Sequence, residues 1–190
     1  MLISVCGPPG SGKSTLISQL VDHYDDINVI ERKTARSILT EWNMTLQDVY
    51  SSTELMMKFQ DEIIRRKILD ELEASISDNI WITERTYIDL LAFSVANLGR
   101  IDACSDWLDD YAKVCLHQQC SYDLTIKLPT GKFAISVDGV RPTNSHYGVM
   151  VDLFMDKYLE LSTANVYRTL HSGLDDRLTE CVTQINLIRG

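Results

Sequence analysis

Leu2-Ile3-Ser4-Val5-Cys6-Gly7-Pro8-Pro9-Gly10-Ser11-Gly12-Lys13-Ser14-Thr15 is the stretch on which the fold turns. Its apolar run ends in a glycine loop, and Leu16, Ile17, Leu20 and Val21 then follow at helical spacing, which predicts strand, loop and helix in succession. Gly7 to Ser14 matches G-x-x-x-x-G-K-[ST] and continues with Thr15. A chance match is expected in roughly one chain of this length per hundred, and the flanking strand and helix make accident far rarer. Glycines are needed because backbone N–H groups must converge on phosphate oxygens, which a Cβ would obstruct, and the following helix N-terminus adds positive potential. All the residues from Gly7 to Thr15 are therefore expected to hold a nucleotide. Lys13 would reach the β and γ oxygens of ATP, and Ser14 would offer its hydroxyl to Mg²⁺.

Outward from this loop, the 190 residues fit one domain, with hydrophobic residues at 45% and charged residues at 24%, enough for an ordinary packed core. The net charge of -9 opposes a protein whose affinity comes from neutralising a phosphate backbone, so nucleic acid is disfavoured as a bulk partner, although net charge does not fix where the 18 basic residues cluster. Five cysteines, with no C-x-x-C pair, argue against a disulfide framework or a zinc knuckle and fit reduced thiols in a cytoplasm. The opening apolar stretch is far shorter than the roughly 20 residues that span a bilayer, so a soluble protein is expected and no membrane partner.

Downstream, strands are predicted at Ile27 to Ile30, Ile80 to Thr83, Leu124 to Leu128 and Asn165 to Thr169. Helices are predicted at about Lys33 to Trp42, Thr53 to Ser77, Tyr87 to Leu98, Ala103 to Gln119, Ser145 to Leu161 and Asp175 to Ile188. In the long helix, Leu55, Phe59 and Ile63 and then Ile68, Leu72 and Ile76 make the apolar stripe, and Arg65, Arg66 and Lys67 read as a solvated face. Alternating strands and helices imply an α/β fold with a parallel sheet of about five strands covered on both faces. Ligands of such sheets bind beyond the carboxyl ends of the strands, where the glycine loop, Glu31 and Glu84 fall. An irregular segment at about 129–144, holding Pro129, Gly131, Gly139 and Pro142, is a lid candidate in a single domain spanning residues 1–190.

No N-K-x-D guanine-reading segment occurs, which argues against a GTPase, and the chain is too short for the helical lid domain of a motor ATPase. The glycine loop, Glu31-Arg32, Ile82-Thr83-Glu84-Arg85-Thr86 with Asp89, and Asp138-Gly139-Val140-Arg141 together resemble the AAA_28 group. That group is typified by the nicotinamide riboside kinase domain of a bacterial regulator and includes phage nucleotide-kinase-like proteins. Glu84-Arg85-Thr86 is similar to the acid-arginine motifs of deoxynucleoside and thymidylate kinases, where the acid supports magnesium and the arginine binds phosphate. Phe59-Gln60 resembles the pair with which deoxynucleoside kinases bond the base, whereas the lid, with only Lys132 and Arg141, departs from their arginine-rich one.

The resemblance implies a P-loop kinase that moves the γ-phosphoryl group of ATP to a nucleoside or nucleoside monophosphate. Its alternatives are a kinase of a hydroxymethylated base in DNA and an ATP-hydrolysing regulatory module. Glu31 is a candidate to take a proton from an acceptor hydroxyl, or else to pair with Arg32 or Arg36. Glu84 is a candidate for magnesium support, and Arg85 and Arg141 for binding the transferred phosphoryl group, because a planar guanidinium matches its oxygens. Arg32 and Arg36 would clamp an acceptor monophosphate. Gln60 could read a base edge, and Asp89 either binds the acceptor or caps a helix N-terminus.

Overall fold

In the structure, a computed structural model describing residues 1–30, 35–129, 144–170 and 173–190, strand β1 (Leu2–Cys6) is buried at every residue and runs through the middle of the sheet. The other strands are β2 (Ile27–Val29), β3 (Ile80–Glu84), β4 (Leu124–Lys127) and β5 (Val166–Arg168), in the spatial order β2-β3-β1-β4-β5. All four pairings are parallel. Register places Val5 beside Glu84 and Cys6 beside Lys127, so three strands end at one level around the glycine loop.

Side-chain alternation on β1 builds two cores. Ile3 and Val5 pack with Leu16 and Leu20 of α1 (Lys13–His23) and with Cys181 and Ile185 of α8 (Leu174–Arg189). Leu2 and Cys6 belong to the opposite core, built from α2 (Ala35–Trp42), α4 (Thr53–Ser75), α5 (Tyr87–Leu98), α6 (Ser105–Gln119) and α7 (Ser145–Leu161). This gives helix, sheet and helix layers, as expected for parallel strands joined by helical crossovers. Between the sheet and α6, polar groups satisfy one another: Ser4 Oγ and Thr125 Oγ1 are 2.9 Å apart, and Gln119 Nε2 donates to Thr125 Oγ1 at 2.9 Å.

A short helix, α3 (Leu46–Tyr50), and a 3-10 turn at Asp102–Cys104 complete the elements among the described residues. The former was not anticipated, although Thr45-x-x-Asp48 forms a full capping box at its start. The greater correction concerns α4. Leu72 and Ile76, expected on the buried stripe, are 56% and 85% exposed, whereas Lys67 and Glu71 are buried. The inward face is Phe59, Ile63, Lys67, Glu71 and Ala74, and the two charges pair with each other there. Of the three residues read as a solvated face only Arg65 is exposed; Arg66 bonds Glu41 and Glu62.

Candidate active site

Burial of β1 forces the chain to leave the sheet abruptly at Gly7, whose φ of +152° and neighbours leave no room for a side chain. A Cβ there would lie 2.8 Å from Ser11 Oγ and 3.1 Å from the carbonyl oxygen of Leu128. Gly10 and Gly12 also hold positive φ, 76° and 89°, and so turn the loop into the first turn of α1. The Lys13 ammonium donates to the carbonyls of Gly7 at 2.7 Å and Pro8 at 3.0 Å, which lays it across the loop. Burial, and then the nearby positive Arg85, lower its pKa from the usual lysine range to about 8.

Ser14 Oγ donates to Glu84 Oε2 at 2.7 Å, joining the first turn of α1 to the end of β3. Arg85 follows in the left-handed region, φ 70°, with its N–H on Val5 O at 2.8 Å and its guanidinium 5.0 Å above the Phe93 ring. Together with Pro9, Gly10, Gly12, Thr15 and Leu174, these side chains line one cavity of about 270 Å³ at the carboxyl edge of the sheet. Such a cavity offers convergent N–H groups, an ammonium and a guanidinium to an anion, and a hydroxyl beside a carboxylate to a hard cation. Among the described residues no group of three or more His, Cys, Asp and Glu is gathered. A cation held by Ser14 and Glu84 would take its other oxygens from water and phosphate, which suits Mg²⁺.

The remaining sequence candidates fare differently. Asp89 is fully buried, and its Oδ2 accepts from Thr86 N–H and Thr86 Oγ1, both at 2.8 Å, closing a capping box at the start of α5. The cap is the role the geometry displays for Oδ2, while Oδ1 is buried with no hydrogen-bond partner among the described residues. Gln60 is half-buried on α4 beside Phe59, Arg36 is exposed on α2, and neither lines the cavity. Glu31, Arg32, Arg141, Lys132 and most of the lid segment lie outside the described residues.

Two groups escaped sequence reasoning. Arg177 of α8, 2% exposed, donates through Nη1 to Ser11 O at 2.6 Å and so braces the loop from behind. Its spacing of four from Cys181 and of eight from Ile185 puts it on the buried stripe of α8, a signal available from sequence. On the Phe93 side, Asn97 Nδ2 donates to Phe93 O at 2.7 Å and to Tyr147 Oη at 2.8 Å, which leaves the phenol proton for another acceptor. Burial pushes the Tyr147 hydroxyl up to about 12, so it stays a donor at neutral pH.

Sheet order, glycine loop and the acid-arginine pair closing β3 define a P-loop fold of the nucleoside and nucleotide kinase type. The chain belongs to the AAA_28 family of AAA domains, whose family model matches residues 2–168. Similar solved structures include a deoxyadenosine kinase from M. mycoides with bound dATP, at TM-score 0.70 and 16% identity over 98% of this chain and 100% of that one. The same kinase with the products dCMP and a flexible dCDP gives 0.69 and 16% over 98% and 99%. A thymidylate kinase from Candida albicans gives 0.61 and 18% over 99% and 92%. No curated protein matches the chain by sequence. Among the described residues, no helix is long and apolar enough to cross a membrane.

Proposed function

We propose that the protein is an ATP-dependent phosphotransferase that moves the γ-phosphoryl group to a nucleoside or nucleoside monophosphate. The observation that carries the reading is the convergence of Lys13, Ser14, Glu84 and Arg85, from the N-terminus of α1 and the end of β3, on a single cavity. Phosphoryl transfer needs little beyond in-line positioning and charge stabilisation, and these groups supply both. The loop N–H groups and Lys13 hold the β and γ oxygens, and Ser14 and Glu84 would hold magnesium. The chemistry supplied by that ion would be neutralisation of charge on the phosphate oxygens. Arg85 offers a planar fork to the group in flight, where one such donor is worth roughly a hundredfold to a thousandfold in rate.

On the acceptor side, Gln60 and the Asn97–Tyr147 pair present hydrogen-bonding groups suited to a base or sugar, and Phe93 presents a ring. Glu31 as proton acceptor, Arg32 and Arg36 as an added clamp for a monophosphate, and Arg141 as a lid cation complete the assignment from sequence. The resemblance of the fold to kinases of free nucleosides and nucleotides favours a small acceptor over a base within DNA.

ADP release measured against a panel of nucleosides and nucleoside monophosphates, with modified duplex DNA as a further arm, tests this directly. At least one free acceptor is expected to raise ADP production far above the acceptor-free rate. Transfer to DNA alone, or turnover that no acceptor raises, would overturn the proposal.

A further inference from the structure

Lys67 has no solvent exposure, yet it is charged and stands in the middle of α4. Its ammonium pairs with Glu71, donates to Thr83 Oγ1 at 3.3 Å, and reaches the carbonyl oxygen of Arg85 at 3.0 Å. The rings of Tyr87 and Tyr122 lie 5.1 Å and 5.7 Å from it and are stacked on each other. Tyr122 Oη in turn donates to Glu71 at 3.0 Å. A buried ion pair is a poor device for stability, since apolar side chains of similar volume fill such a space as well or better. The arrangement gains meaning from what the ammonium touches outside the pair.

Arg85 holds a left-handed backbone that costs energy in any residue with a Cβ. Two bonds fix it there: its N–H is held by Val5 O of the central strand, and its carbonyl by Lys67. Turning either peptide group would swing the side chain away from Phe93 and out of the phosphate cavity. Thr83, whose hydroxyl also accepts from the Lys67 ammonium, stands next to Glu84 in β3, so one buried cation bonds the residue on each side of the acid, a side chain before it and a backbone carbonyl after it.

We infer that Lys67 is a positioning residue for phosphoryl transfer: from α4 it locks the left-handed Arg85 so that the guanidinium points into the cavity. This rests on the reading of Arg85 as a phosphoryl-binding group. Glu71 and Tyr122 keep the ammonium aimed, and Lys67 itself never meets substrate.

The test uses Lys67→Met and, because the first would leave Glu71 as a lone buried carboxylate, Lys67→Met/Glu71→Gln. Two readouts are taken on protein whose folding has been checked by thermal melting. The Arg85 Nε–Hε resonance in ¹⁵N-labelled protein, assigned with Arg85→Lys, should sit upfield through the ring current of Phe93 and lose that displacement in the double variant. Steady-state kcat should fall by roughly tenfold to a hundredfold while KM for ATP stays within about twofold, because a misaimed donor acts on the transition state. In an Arg85→Ala background the same change should cost less than about twofold in kcat, as expected of residues acting through one group. A folded double variant that keeps the Arg85 resonance in place overturns the inference and leaves the proposed function standing. A resonance that moves with no loss of kcat overturns it differently, by removing Arg85 from the transfer step. Absence of acceptor-stimulated transfer in the unaltered protein would strike the functional reading itself.

Discussion

Raising the pH on the Lys13 ammonium should weaken nucleotide binding within a range that an ordinary lysine would not notice. In the free protein its pKa is lowered to about 8 by burial and by the positive Arg85. Lowering from the usual 10.5 corresponds to about 3 kcal/mol against the charged form. The folded pKa lies below the unfolded one, so between about pH 8 and 10.5 the unfolded chain holds a proton that the folded chain has lost. Stability of the unliganded protein therefore rises with pH across that window, and the penalty is fully present below about pH 8. A polyphosphate beside the ammonium restores the charged form, so binding must take up a proton whenever Lys13 starts neutral. With a pKa of about 8, the protonated fraction falls from about three-quarters at pH 7.5 to about one-tenth at pH 9, which weakens binding roughly eightfold. Isothermal titration calorimetry of ATP in buffers of different ionisation enthalpy would measure both the affinity and the proton count. Cys6, Cys115 and Cys181 are pushed up by burial and stay protonated over this range, and Lys13→Met should abolish the pH-dependent part along with most of the affinity. An affinity that is flat from pH 7.5 to 9 with no proton uptake would refute the reasoning.

Gly7→Ala should reduce ATP affinity at least tenfold and destabilise the protein by about 1–3 kcal/mol, because the added methyl meets the Leu128 backbone and not merely a mobile side chain; calorimetry and thermal melting read the two effects. Arg177→Met, which keeps much of the buried bulk but not the bond to Ser11 O, should raise the Kd for ATP by roughly tenfold with far-ultraviolet circular dichroism unchanged. Glu84→Gln should lower kcat and move half-activation to higher magnesium concentration, as measured by rate against magnesium at fixed ATP. Tyr147→Phe should raise KM for the acceptor severalfold and leave KM for ATP unchanged, since its phenol proton faces no partner among the described residues and its ring is kept.

The alternation of strand and helix was legible because each strand is an apolar run and each helix a stripe at period 3.6, and these signals are local. Lys13, Ser14, Glu84 and Arg85 could be singled out for the same reason: the first two directly follow the glycine loop that leaves β1, and the others stand at the end of β3. What sequence hid was charge on buried faces. Lys67 and Glu71 occupy the inward stripe of α4 in place of hydrophobes, so a reading by hydropathy rotated that helix toward Leu72 and Ile76. The buried place of Arg177 on α8 could be read from spacing, but its bond to the loop was hidden because its partner is the carbonyl of a residue 166 positions away. Asp89 could be read two ways from Thr86-Tyr87-Ile88-Asp89, and the capping box needs the folded position of one of its oxygens to be seen.

The central place of β1 also sets the order in which this site can come into being as the chain is made. β1 precedes the other four strands in the chain, yet its neighbours in the sheet are β3 and β4, with β2 reaching it only through β3. The glycine loop, first in sequence, must therefore wait for Glu84 and Arg85, then for the Leu128 backbone packed against Gly7, and last for Arg177 behind Ser11. A nascent chain released from the ribosome N-terminus first carries the phosphate motif before it carries the parts that give that motif shape. Nucleotide can favour only the finished assembly, by mass action on a site that does not exist earlier. In a cell rich in ATP, such a chain would be rewarded for complete folding and receive little help on the way there.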